Sequence, residues 1–284
     1  MFKTSATQPH EFERPVLDLS GEMLRAALQA MVAGSEEHGG VERYIDAVKL
    51  KSAMFQQALV ENDVADLDLE TFKGLCTFMA TVRRRISTWL NEGDFAALHG
   101  HIVELFDDAE HIDNRIGRFC DRFPNDKQHR WVRDLAAELL HNADPERVPL
   151  MNRWVWDAKA NTGVIREVWH GDDVDHIKIP VADGYGTCIM LREELSQFLS
   201  DNGIFRDVLY YVDVLCAQIY AQYICEQGGS YLRADFTAPE DPMQHTRRLL
   251  GLDGVRTGDG RTRLKSIDGE AFVLDDNELS ETKH

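Results

Sequence analysis

Eleven histidines and 49 acidic residues share this chain of 284, and the spacing between them is where chemistry could begin. A carboxylate three residues before a histidine places both groups on one helix face, because i and i+3 are neighbours there. Helical di-metal carboxylate proteins use that pair from two helices and single glutamates from two others. The spacing recurs at Asp108–His111, Asp126–His129, Glu138–His141, Glu167–His170, Asp173–His176 and Glu281–His284. Three of these fit other duties. Glu281–His284 closes the chain, Asp173–His176 lies in an acidic loop, and Asp126 sits at a helix start, where a negative charge complements the dipole. Glu138, His141, Glu167 and His170 remain as candidate metal ligands, with Asp108 and His111 as a third pair. The cofactor is not fixed by the sequence; ligands of this kind would hold a divalent transition metal that activates oxygen or water. The competing account is plain: in so acidic a chain, such pairs arise often as solvated surface pairs.

A second cluster lies between Leu139 and Gly186, which holds three of the five tryptophans. Arg153, Trp154, Trp156, Arg166, Trp169 and Tyr185 are candidate partner- or ligand-binding residues. Arginine beside tryptophan can stack by cation–π contact and hold an anion, and both types are enriched at binding hot spots. The alternative is that the tryptophans fasten this segment to the core. A third candidate is Asp213, a carboxylate inside the apolar run Val208–Cys225. It needs a partner, for which Arg206 or Arg233 would serve, or it acts as a ligand.

Other chemistry is disfavoured by what is missing. There is no Gly-x-x-x-x-Gly-Lys phosphate loop, no Gly-x-Gly-x-x-Gly, no Gly-x-Ser-x-Gly and no His-Glu-x-x-His. Five cysteines at wide spacing, with no Cys-x-x-Cys, do not make a disulfide framework. A reducing cytoplasm is the expected compartment. A net charge of −18 opposes nucleic acid and anionic membranes as partners. Arg83, Arg84 and Arg85 fan around a helix over about 200° and form no single patch. Polar Met1–Ala6 suggests no secretory signal, and Asp213, Gln218 and Gln222 interrupt the longest apolar run, so no membrane span is expected.

The elements that must position these groups read as helices. Ser20 caps a first helix, and Val41–Glu61 and Leu69–Leu90 carry long apolar stripes. Asp94 starts a fourth, and His111–Phe123 forms a fifth that Pro124 stops. Asn125 with Gln128 resembles a capping box for the helix bearing Trp131 to Leu140. Asp144-Pro145 predicts another start, with a helix reaching Trp156. Regularity fails over 161–186, where Val164–Trp169 is a strand or short helix, His176–Pro180 an edge strand and Asp183–Gly186 a turn. Helices resume at Leu191–Leu199, at Phe205–Glu226 and after Asp241-Pro242. Arg261–Ile267, Asp268-Gly269 and Glu270–Leu274 read as a hairpin.

The predicted fold is therefore mainly α: a multi-helix bundle-like core, a small irregular or β insertion near 161–186, and a C-terminal β-hairpin. Residues 1–18 form an extended lead-in, 19–252 a helical domain with a Trp-rich insertion at about 144–190, and 253–284 the hairpin and acidic tail. The expected function is an adaptor, assembly or regulatory factor that docks a protein partner, or a second copy of itself, through the Trp/Arg-rich segment. The alternative is a non-haem metal enzyme built on the Glu-x-x-His pairs.

Overall fold

Apolar residues at helical spacing dominate the chain, and the computed structural model is correspondingly mainly helical. It describes residues 14–36, 39–92, 95–171, 174, 176–231 and 242–252, and the backbone of 255–258, 261–265 and 271–275. Of the expected C-terminal hairpin only these backbone stretches are described, and the turn and tail lie outside them. Ser20 caps α1 (Gly21–Ser35) by accepting from the Met23 amide. Gly39 and Gly40, both at φ +91°, turn the chain into α2 (Val41–Gln56). A π turn at Gln57–Glu61 and a 3-10 turn at Val64–Asp66 follow, which carries the apolar stripe to the predicted limit.

The stripe expected to be one helix over Leu69–Leu90 is broken into α3 (Leu69–Thr77) and α4 (Arg83–Glu92). The Thr77 hydroxyl donates to the Gly74 carbonyl, and Phe78, Met79 and Val82 are buried in the break. These side chains reach the core from a turn, so the apolar spacing alone does not register the interruption. Then come α5 (Phe95–Phe106), α6 (Ile112–Cys120) and α7 (Trp131–Ala143). Before α7 it is Asp126, not Asn125, that binds the free amides, those of Gln128 and His129.

No helix follows Asp144-Pro145. The Asp144 carboxylate accepts from the Arg147 amide, and its carbonyl from Val148, which closes one turn before Pro149. Proline lacks the donor that would continue it. The segment then wraps the core irregularly, with one short helix, α8 (Val164–Glu167). His176–Pro180 is not a strand. The Asn161 amide donates to the Ile177 carbonyl and accepts from the Ile179 amide, so one side chain supplies what a neighbouring strand would. The Asp183–Gly186 stretch runs directly into α9 (Tyr185–Asp201), earlier than the apolar spacing suggests. α10 (Val208–Tyr231) and α11 (Pro242–Leu249, with proline at its first position) complete the described helices. Among the described residues, one helical stretch, Val208–Glu226, is long and apolar enough to cross a membrane, and half of it is buried inside the protein.

Two groups of buried apolar side chains result. One joins α1, the first half of α2, the Trp-rich segment, α9 and α10. The other joins Phe55 and Leu59 with α3 to α7. Helix α2 passes from one group to the other at Lys51 and Ser52. Helix α7 is buried along nearly its whole length.

Candidate functional site

A helix buried all round should be apolar all round, yet α7 carries Asp134, Glu138 and His141 at i, i+4 and i+7, with Asn142 beside them. All four are at most 5% exposed. Removing a charge from water costs several kcal/mol unless partners replace it, and each of these side chains has found partners. Glu138 Oε2 accepts from Lys51 Nζ at 2.8 Å and from Asn142 Nδ2 at 3.0 Å, while its Oε1 accepts from Asn152 Nδ2 at 3.1 Å. Lys51 also donates to the Leu250 carbonyl at the end of α11 (3.0 Å), and Ser52 donates to the Asn142 carbonyl (2.9 Å). The network thus ties α2, α7, the irregular segment and α11 together at the seam between the two apolar groups.

His141 extends it. Its Nδ1 lies 2.9 Å from the Val148 carbonyl and its Nε2 3.1 Å from Asp213 Oδ2. Both neighbours are acceptors, and a neutral imidazole has only one N–H. The ring that satisfies both is the imidazolium. Burial acts to lower its pKa, but the Asp213 carboxylate, the Val148 carbonyl and the nearby Glu138 outweigh it, and the pKa rises. The partner expected for Asp213 was an arginine; it is this histidine. Asp134, one turn before Glu138, accepts from the Arg153 amide and guanidinium, and burial still holds its carboxyl above the ordinary value.

The candidate metal ligands do not converge. Glu138 and His141 are sealed inside and fully engaged, whereas the His170 side chain is 68% exposed beside Asp18. Glu167 lies on α8. Asp108 is exposed near Arg147, and His111 caps α6 by accepting from the Asp113 amide. Among the described residues, no three His, Cys, Asp or Glu side chains are placed to hold a metal ion.

The Trp/Arg set is spent on structure. Trp154, Trp156 and Trp169 are at most 9% exposed and belong to one apolar group, while Tyr185 packs against the other. Trp156 donates to the Val181 carbonyl, Arg166 to the Asn161 carbonyl and Tyr185 to the Arg147 carbonyl. Trp169 pairs with Leu19, so the segment also anchors the N-terminal lead-in. The three tryptophans are thus buried against the core, while Arg153, Arg166 and Tyr185 are half-buried.

An open feature lies elsewhere. A groove of about 600 Å³ runs between the start of α2 and the loop joining α9 to α10. Glu42, Ile45 and Asp46 share one α2 face and form a wall. The lining continues through Ile204, Phe205, Arg206 and Tyr211, and Phe205 is 75% exposed. The loop is fixed at both ends by residues in left-handed conformations, Gly203 (φ +87°) and Asp207 (φ +53°). Asp207 also pairs with Lys49 at 2.9 Å, which pins the loop to α2 and raises the lysine's pKa. The Tyr211 hydroxyl bonds Glu42, and its pKa is raised, first by burial and then by the two acids.

Sequence spacing pointed to neither Lys51, Asn142 and Asn152 nor the groove. Lys51 was readable in principle, since it interrupts the apolar face of α2 set by Tyr44, Val48 and Phe55. The groove has no such signal, because it depends on where a loop lands. Comparison with protein-family models, with curated proteins and with solved structures finds no match.

Proposed function

We propose that this protein is an adaptor or assembly factor, acting in the cytoplasm, that docks a protein partner through the groove beside Phe205 rather than through the tryptophans. The observation that carries this reading is Phe205 itself. An aromatic ring left in water forgoes about 1.5–3 kcal/mol of burial, and this one stands at the lip of a concavity of ligand-binding size. The loop that presents it is held by an ion pair and two left-handed residues. A fixed, partly apolar concavity offers a partner a preorganised surface. In this reading the buried polar network on α7 serves as the frame. The C-terminal β-hairpin over 261–274 remains part of the proposed architecture.

A photo-crosslinking residue placed at position 205, with a control at exposed Val60, tests it in cells that make the protein. The expected result is a discrete adduct with one partner, or with a second copy, at 205 and not at 60. Equal, diffuse adducts at both positions would remove the groove from consideration.

A further inference from the structure

We infer that the segment seated in this groove is cationic and apolar together: a lysine or arginine next to a bulky aliphatic or aromatic side chain of the partner. The inference rests on the docking reading above and specifies its chemistry. Glu42 and Asp46 stand one helical turn apart on α2, with Ile45 between them on the same face. Both acids are exposed. Phe205 lines the same groove, and the Tyr211 hydroxyl rests on Glu42. A cation entering the groove meets these carboxylates and the exposed Phe205 ring, and both attract it. An apolar neighbour then covers the exposed Phe205 ring. An acidic segment would meet Glu42 and Asp46 with Arg206 alone of the lining residues to offset them, since Lys49 is already paired with Asp207. The chain's net charge of −18 adds long-range attraction for a basic partner and repulsion of an acidic one.

The test is fluorescence anisotropy on the full chain with three labelled 12-residue peptides: one of lysine, arginine, leucine and phenylalanine, one with glutamate replacing the bases, and one with serine replacing them. The cationic peptide should bind at least about tenfold more tightly than the acidic one. The double variant Glu42→Gln/Asp46→Asn should weaken it about tenfold, and Phe205→Ser should weaken it independently. A charge-matched control, Glu104→Gln/Glu110→Gln, should leave binding within about twofold of the unchanged protein. If that control weakens binding as much as the groove variant, the attraction is diffuse and the inference is wrong. If the serine or glutamate peptide binds best and Phe205→Ser abolishes it, docking stands and the cationic assignment falls. If none of the three binds, both fall.

Discussion

Lys51 and Glu138 show how much a single buried contact can decide. With either partner removed, the other is left charged in a dry seam, and breaking such a pair costs about 3–5 kcal/mol. Lys51→Met alone and Glu138→Leu alone should each lower stability by that order in urea unfolding. The double variant should recover a large part, because two apolar side chains can occupy the space without an orphaned charge. Additive losses would show that the pair is not a coupled unit. His141 makes a separate prediction with a definite sign. Its folded pKa is raised above the unfolded value of about 6.5. Its contribution is therefore complete below about pH 6.5 and is lost as pH climbs through the folded value. The urea midpoint of the unchanged protein should fall, relative to that of His141→Asn, as pH rises from that point. A constant difference between the two would contradict the imidazolium. The residue scale is also where sequence reading was least complete. Asp213 was visible as a carboxylate needing a partner, but the arginines nearest in sequence were not the ones that mattered. His141 lies 72 positions away, and pairings across such distances leave no local spacing to read.

Most of the helices were legible from apolar periodicity, and their failures share a cause. Wherever the chain leaves a helix while still burying its side chains, the period persists and hides the break. Phe78, Met79 and Val82 do this between α3 and α4, and Val155 and Trp156 do it after Pro149. Gly251 shows what such breaks depend on. It sits at φ +76°, and a Cβ there would lie 1.6 Å from the Phe78 carbonyl oxygen. Gly203 has a similar φ of +87° but open space around it. Gly203→Ala should therefore cost only the backbone term, about 1 kcal/mol, whereas Gly251→Ala must also push α11 away from the α3–α4 turn and should cost well over about 2 kcal/mol. Thermal unfolding of the two variants compares them directly. Equal losses would mean that α11 is not held against that turn.

At the scale of the whole molecule, two apolar groups are joined by an ionic seam rather than by a continuous oily core. Trp89 and Trp131 report on one group, and Trp154, Trp156 and Trp169 on the other. In the unchanged protein the two should unfold together, since α2 runs through both and Glu138 of α7 holds Lys51 at the seam. In Glu138→Ala the seam is weakened, and the transitions seen by Trp89→Phe/Trp131→Phe and by Trp154→Phe/Trp156→Phe/Trp169→Phe backgrounds should separate along the urea axis. Coincident curves in that variant would show that the apolar contacts alone couple the halves. The general architecture, a helical protein with an irregular middle, was readable from composition and punctuation. The division into two groups was not, because it arises from two polar residues, Lys51 and Ser52, in the middle of one helix.

The bond from Lys51 to the Leu250 carbonyl also sets an order of events. It joins positions 199 residues apart, and Glu138, the other partner, emerges well before Leu250. At about 5–20 residues per second, a ribosome needs on the order of tens of seconds to pass from one end of that contact to the other. During this interval the nascent chain holds an ammonium whose last acceptor has not yet been made. The seam therefore closes late, after synthesis has passed α11. A stalled or prematurely terminated product ending before residue 250 would present an unfinished interior to the cell's quality-control machinery.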